Sequence, residues 1–116
     1  MVRNEEFVVM FDVDYTLIMW DQEFVPGEGK IAIQTPCGET RYFRPHKRHI
    51  DLLKNYVARG ATVIVWSGGG RAWSKLVTEA LGIDHLVYDH LPKPVKYVDD
   101  HDAQIWFTGR IWLEDV

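Results

Sequence analysis

Asp12 and Asp14 stand two residues apart, directly after the apolar run Phe7-Val8-Val9-Met10-Phe11. Two carboxylates this close repel each other, which raises the pKa of one and can keep it protonated. Such a pair suits a nucleophile beside a general acid; it suits a cation site or a solvated turn as well. A second polar group, Ser67-Gly68-Gly69-Gly70-Arg71, follows the apolar run 61–66. Glycines let a backbone approach an anion, and the N–H groups at a helix start point toward it. The competing reading is a flexible strand-to-helix turn with Ser67 as its cap. No Lys-Ser or Lys-Thr follows the glycines, which excludes a nucleotide P-loop. Asp99-Asp100 offers the hard oxygen donors that magnesium takes, or a surface acid pair. Lys93, restricted between Pro92 and Pro94, would offset the charge of a bound phosphate, or is a solvated loop lysine.

These groups need a frame that brings them together. The runs 7–11 and 61–66 are short, continuously apolar and rich in strand formers, the pattern of strands buried on both faces of a parallel sheet. Shorter versions at 85–88 and 95–98 predict two further strands. Pro45 suits a first helical position; Ile50, Leu53 and Val57 keep a helical spacing that Gly60 ends. A second helix over 71–81 places Trp73, Leu76, Val77 and Ala80 on one stripe, with Gly82 as its stop. The alternation predicts an α/β fold, a parallel sheet flanked by helices. In an open parallel sheet the carboxyl ends of the strands face the ligand crevice, so Asp12, Ser67 and Asp99-Asp100 are expected to converge.

The stretch 15–44 breaks the alternation. Residues 30–34 and 40–43 can pair around Thr35-Pro36-Cys37-Gly38-Glu39, a β-hairpin projecting from the sheet within an insertion spanning 22–44. Met19, Trp20, Phe24, Tyr42, Phe43 and Arg44 could stack on and pair with a nucleotide, or pack the hairpin onto the sheet. His46 and His49 show no metal-ligand spacing and are expected in solvent. Residues 111–113 are a candidate edge strand.

The composition narrows the options. The 116 residues fit one domain, 1–116, with an ordinary 47% hydrophobic and 26% charged balance. Thirteen Lys plus Arg against seventeen Asp plus Glu give a net charge of -4, without the broad positive field of a nonspecific nucleic-acid binder. The single cysteine, Cys37, permits no disulfide within the chain, which points to a reducing, cytoplasmic setting. Glu5 and Glu6 precede the first apolar run, unlike a signal peptide, and no apolar run approaches the ~18 residues of a membrane span.

Phe11-Asp12-Val13-Asp14-Tyr15-Thr16-Leu17 resembles the first motif of the haloacid dehalogenase-like phosphohydrolase superfamily. Val63-Ile64-Val65-Trp66-Ser67-Gly68 is similar to its second motif, Lys93 to its third, and Tyr97-Val98-Asp99-Asp100 to its fourth, in the family's order and over nearly the whole chain. The resemblance implies a compact Rossmann-like fold and magnesium-dependent hydrolysis of phosphomonoesters through an aspartyl-phosphate. Asp12 would be the nucleophile and a magnesium ligand. Asp14 would protonate the leaving oxygen, then activate water, and lend its backbone carbonyl to the metal. Thr16 and Ser67, with Gly68, would hold phosphate, or Thr16 and Ser67 would orient the acid, and Asp99 would bind magnesium, directly or with Asp100 through water. Lys93 would neutralise phosphate, with Lys96 as the second candidate. The chemistry needs the whole set: an anionic carboxylate attacks a phosphate dianion only when cations screen the repulsion, and the covalent intermediate divides one hard step into two.

Tyr15 departs from the pattern, standing where many members have glycine. The chain also lacks room for a cap domain. A capless crevice suits a large substrate, such as a nucleic-acid end or a protein, or a partner subunit as its lid; a nucleotide is a further candidate. The alternatives are a phosphoprotein phosphatase and a noncatalytic phosphate-binding module, although a pocket that only binds does not need Asp14.

Overall fold

The two continuous apolar runs pair as parallel strands in the computed structural model. The second is central and largely buried, whereas the first lies at the sheet edge with Phe7 and Val8 exposed, contrary to the expectation that both its faces are covered. The structure describes residues 4–20 and 25–115, with the side chains of residues 4 and 5 excepted. Phe24 and the beginning of the 22–44 insertion lie outside the described residues. β1 (Asn4–Phe11) and β5 (Ala61–Ser67) pair in parallel, with Phe11 opposite Val65. β6 (Asp89–Pro92) pairs in parallel on the other side of β5, with Ser67 opposite Pro92, giving the order β1-β5-β6. Val63 and Val65 are buried at the sheet centre. α1 (Lys47–Ala58) and α2 (Arg71–Ala80) both pack on β5. The buried stripe of α2 is Trp73, Ser74, Val77 and Thr78, turned away from the expected Ala80, which is exposed. Ser74 and Thr78 tolerate burial because both hydroxyls are hydrogen-bonded.

A second, antiparallel sheet holds β2 (Ile18–Met19), β3 (Ile31–Gln34) and β4 (Thr40–Pro45) in the order β2-β4-β3. The β3–β4 turn closes through the Thr35 N–H on the Glu39 carbonyl at 2.7 Å, with Gly38 at φ +91°. The hairpin does not project from the sheet. Ile33 and Phe43 are buried in the same core as Val65 and Val77. The Phe43 ring meets Trp20 edge-on at 4.5 Å and Trp73 at 5.7 Å. Phe43 is therefore a core residue and not a free stacking surface.

Three expected strands are corrected. Residues 85 and 86 of the expected 85–88 strand are part of a 3₁₀ turn, Asp84–Leu86, and the strand starts only at Asp89. Asp84 fixes this turn by accepting hydrogen bonds from Thr78 (2.9 Å), Lys75 (3.3 Å) and His90 (2.9 Å). These bonds hold its carboxyl below the usual carboxylate range even though burial works the other way. β6 tolerates Pro92 because it is an edge strand. Residues 95–98 form no strand, and Val95 and Val98 are fully solvent-exposed. A parallel return from β6 needs a crossover of a dozen or more residues, which the chain does not provide here.

Residues 111–113 form no edge strand either, because His46 and His49 claim Leu113. The Leu113 N–H donates to His49 Nε2 at 2.9 Å, and His46 Nε2 meets the Leu113 carbonyl at 3.1 Å. His49 Nδ1 reaches the Thr16 carbonyl at 2.7 Å. Both imidazoles are buried and stacked 3.7 Å apart, contrary to the solvated positions expected for them. His46 also caps α1, accepting from the His49 N–H at 3.1 Å, so the helix starts at Lys47 and Pro45 closes β4. An Arg44–Asp115 ion pair at 2.6 Å completes the clasp and holds the Asp115 carboxyl below its usual range.

Burial pushes the His49 imidazole below its usual range, against the opposing hydrogen bond to Thr16. The unfolded chain then takes up the proton first. The stabilisation from neutral His49 is fully present above an unfolded pKa of ~6.5 and is lost as pH falls toward the depressed folded value. Melting temperature is expected to drop between pH 7.5 and 5.5, and His49→Gln should flatten that drop. Circular dichroism melts at the two pH values check this, and equal slopes for both proteins would refute it. Among the described residues no helix is long and apolar enough to cross a membrane.

Candidate active site

The end of β1 turns sharply. The Val13 carbonyl accepts the N–H groups of Thr16 (3.1 Å), Leu17 (2.8 Å) and Ile18 (3.2 Å). Val13, Leu17 and Ile18 are completely buried, so the turn is anchored by its apolar members. Asp12 and Asp14 flank Val13 and keep their carboxylates partly accessible.

Asp12 is held at both oxygens. The Thr16 hydroxyl donates to its Oδ2 at 3.0 Å, and Lys93 Nζ lies 3.4 Å from its Oδ1. Thr16 thus orients the carboxylate. Lys93 follows directly on β6, and its N–H donates to the Ser67 carbonyl at 2.9 Å, which extends the β5–β6 pairing to the lysine itself. Lys96 is exposed and has no ion pair among the described residues. The edge strand therefore carries Lys93 to Asp12. A buried brace supports that strand: Ser74 Oγ lies 2.6 Å from His90 Nδ1, and His90 Nε2 lies 2.9 Å from Asp84. Ser74 is completely buried, so this Ser-His-Asp chain joins α2 to β6 and presents no nucleophile to solvent.

Asp14 has a different environment. Trp20 Nε1 donates to its Oδ1 at 2.8 Å, and Trp73 Nε1 donates to the same oxygen at 3.2 Å. The Oδ2 atom has no hydrogen-bond partner among the described residues, nor has the Asp14 backbone carbonyl. Two indoles from separate elements thus fix the carboxyl and leave one oxygen for a reacting group. Residue spacing gives no sign of this pairing. Trp20 was a candidate stacking residue and Trp73 a stripe residue, and they meet at Asp14 only because the hairpin packs on α2.

Ser67 lies at the end of β5 but is completely buried, and its Oγ accepts the Gly69 N–H at 3.0 Å. It shapes the glycine turn. Gly68 is exposed, with open space around it. Gly69 is required by Trp73, because a Cβ there would lie 2.9 Å from Trp73 Cδ1. Gly70, which begins α2, has φ +98°, a conformation that favours glycine.

Asp99 and Asp100 lie on the exposed segment after β6. With His101 they form the one group among the described residues in which three acidic or imidazole donors lie within 4.8 Å of one another. Asp12 and Asp14 are outside that group. At the strand end the donors are the Asp12 carboxylate and the Asp14 carbonyl. That set fits magnesium, which commonly keeps several waters and takes one or two carboxylates plus substrate phosphate.

Tyr15, Trp20, Thr35, Pro36, Gly69 and Trp73 line a cleft of about 470 Å³ that also includes Asp14. Tyr15 has φ +60°, which costs a non-glycine residue roughly 1–3 kcal/mol. Tyr15→Gly is therefore expected to stabilise the fold by up to ~1 kcal/mol, after the entropy that glycine releases on unfolding is subtracted. Urea denaturation of the two proteins measures it; a clear loss of stability would show that the tyrosine ring does structural work.

No family model, curated protein or solved structure matches the chain.

Proposed function

We propose that the chain is a small capless phosphohydrolase of the haloacid dehalogenase-like type, hydrolysing phosphomonoesters with magnesium. One observation carries the reading: two carboxylates two residues apart, at the end of a parallel strand, are held in opposite ways. Asp12 is paired with a lysine and a hydroxyl, and Asp14 is held through a single oxygen by two indoles. An ionised carboxylate beside a cation is a nucleophile. A carboxyl oriented through one oxygen has the other available to move a proton.

Asp12 attacks phosphorus and becomes the acyl phosphate while Asp14 gives its proton to the departing oxygen. Asp14 then takes a proton from water, which cleaves the acyl phosphate and restores Asp12. Lys93 offsets the negative charge that gathers at Asp12 and the phosphate. Asp12 and the Asp14 carbonyl would hold magnesium, which supplies further positive charge there when bound. A noncatalytic phosphate-binding module would use Lys93 and the glycine turn but has no use for the fixed carboxyl of Asp14.

The test is phosphate release from a generic aryl phosphate, with magnesium and with chelator. Release that depends on magnesium, with calcium a poor substitute, is the expected result. Calcium accepts more oxygens at longer distances and would engage both Asp12 oxygens. Equal release with chelator present would overturn the metal requirement, and no release under any condition would favour the binding module.

A further inference from the structure

We propose that the cleft beside Asp14 is the leaving-group site and that it selects phosphomonoesters whose leaving group carries a planar, uncharged ring. The inference rests on the phosphohydrolase reading, since it takes Asp14 as the group that protonates the leaving oxygen. If phosphate lies at Asp12 and Lys93, the rest of the substrate must extend past Asp14, and the cleft is what adjoins Asp14 there.

The lining sets the chemistry. Tyr15, Trp20, Trp73 and Pro36 offer aromatic and apolar surface, and Asp14 is the only charged residue of the lining among the described residues. Arg41 lies over the Trp20 ring at 5.8 Å but is bound to Glu39 at 2.8 Å. Among the described residues a polyanionic strand would find no cation in the lining and one carboxylate, which disfavours the nucleic-acid end considered from the sequence. A small polyol would leave the indole faces unused. The volume, about 470 Å³, falls in the range of small-molecule sites, ~300–1,000 Å³. Trp20 and Trp73 have centroids 6.3 Å apart and planes tilted by 42°. A ring stacked on both would need twice a carbon contact distance of ~3.5 Å, so it lies against the indoles and not between them.

Backbone strain is the independent sign. Tyr15 keeps φ +60° although glycine would adopt it freely. Its side chain is exposed and makes no ring contact among the described residues, so core packing does not account for it. What the strained residue does contribute is a wall of the cleft. Strain of this kind gathers at ligand sites. Gly69 serves the same surface by leaving room for Trp73.

The test compares naphthylmethyl phosphate with propyl phosphate, whose leaving alcohols are similarly basic, and adds a nucleoside 5′-monophosphate to separate a nucleobase from a simple aryl ring. The kcat/KM for at least one ring-bearing ester is expected to exceed that for propyl phosphate by ~10-fold or more, and Tyr15→Gly should shrink this ratio. Independently, naphthylmethanol without phosphate should shift the indole N–H resonances of Trp20 and Trp73 and leave those of Trp66, Trp106 and Trp112 in place. Turnover without ring preference, and no shift at Trp20 or Trp73, would overturn the leaving-group site while sparing the phosphohydrolase reading. No turnover of any ester would overturn that reading and the leaving-group role with it, whereas indole shifts would still report a ring-binding cleft.

Discussion

Asp12→Asn is expected to yield a folded protein that releases no measurable phosphate. The amide keeps nearly the shape of the carboxylate and can still accept from Thr16, so the turn after β1 stays intact. Lys93 loses its ion-pair partner, but its side chain is 46% exposed and water can solvate the charge. The chemistry has no such substitute, because a carboxamide does not form the acyl phosphate. Asp14→Asn should behave differently. Trp20 and Trp73 can still donate to its oxygen, so the side chain remains in place without a proton to give. General acid catalysis is worth ~10²–10⁴-fold, and that loss should appear with alkyl phosphates. A nitrophenyl ester, whose leaving group departs without help, should lose much less. Single-turnover rates of leaving-group release on both esters check this, because the later hydrolysis of the acyl phosphate, in which Asp14 acts as base, is common to both. An equal loss on both would remove the acid role from Asp14, and residual turnover by Asp12→Asn would remove the nucleophile from Asp12.

Phe43→Ala should be the most damaging single change outside the site. The ring is completely buried and contacts Trp20 and Trp73. Large-to-small changes of this type cost ~3–5 kcal/mol, against a total stability of ~5–15 kcal/mol for a small domain. Activity should fall along with stability, since the two rings that Phe43 supports are the two that hold Asp14. Excising residues 30–43 would remove Ile33 and Phe43 together and is expected to unfold the protein. Changing Thr35 and Pro36 alone spares the core and alters only the cleft. Chemical denaturation of Phe43→Ala gives the cost directly, and a loss below about 1 kcal/mol would show that the hairpin is not integral to the core.

The parts of the fold that were legible in the sequence are those whose signal is local. The run in β5 is continuous and apolar because both faces of that central parallel strand are covered. The run in β1 has the same local pattern although β1 is an edge of the three-stranded sheet with Phe7 and Val8 exposed, and each run ends where polar residues begin, at Asp12 and Ser67. Both helices showed their spacing, and Gly60 and Gly82 take the positive φ of helix stops. The β3–β4 turn was readable from Pro36 and Gly38. The pair Asp12 and Asp14, and the candidacy of Lys93, needed only residue types and order.

Tertiary structure decided the rest. β6 reads Asp-His-Leu-Pro, with no apolar pattern, and it is a strand because the edge of β5 supplies a partner and Asp84 fixes the turn before it. That placement brings Lys93 to Asp12, while Asp99 and Asp100 remain on an exposed segment. His46 and His49 are buried because residues more than sixty positions later fold back onto them. Trp20 and Trp73 converge on one oxygen of Asp14, one from directly after β2 and the other from α2. Periodicity records which face of an element is buried. It carries no record of which distant polar atom a buried donor will meet, because that pairing exists only after the elements have packed.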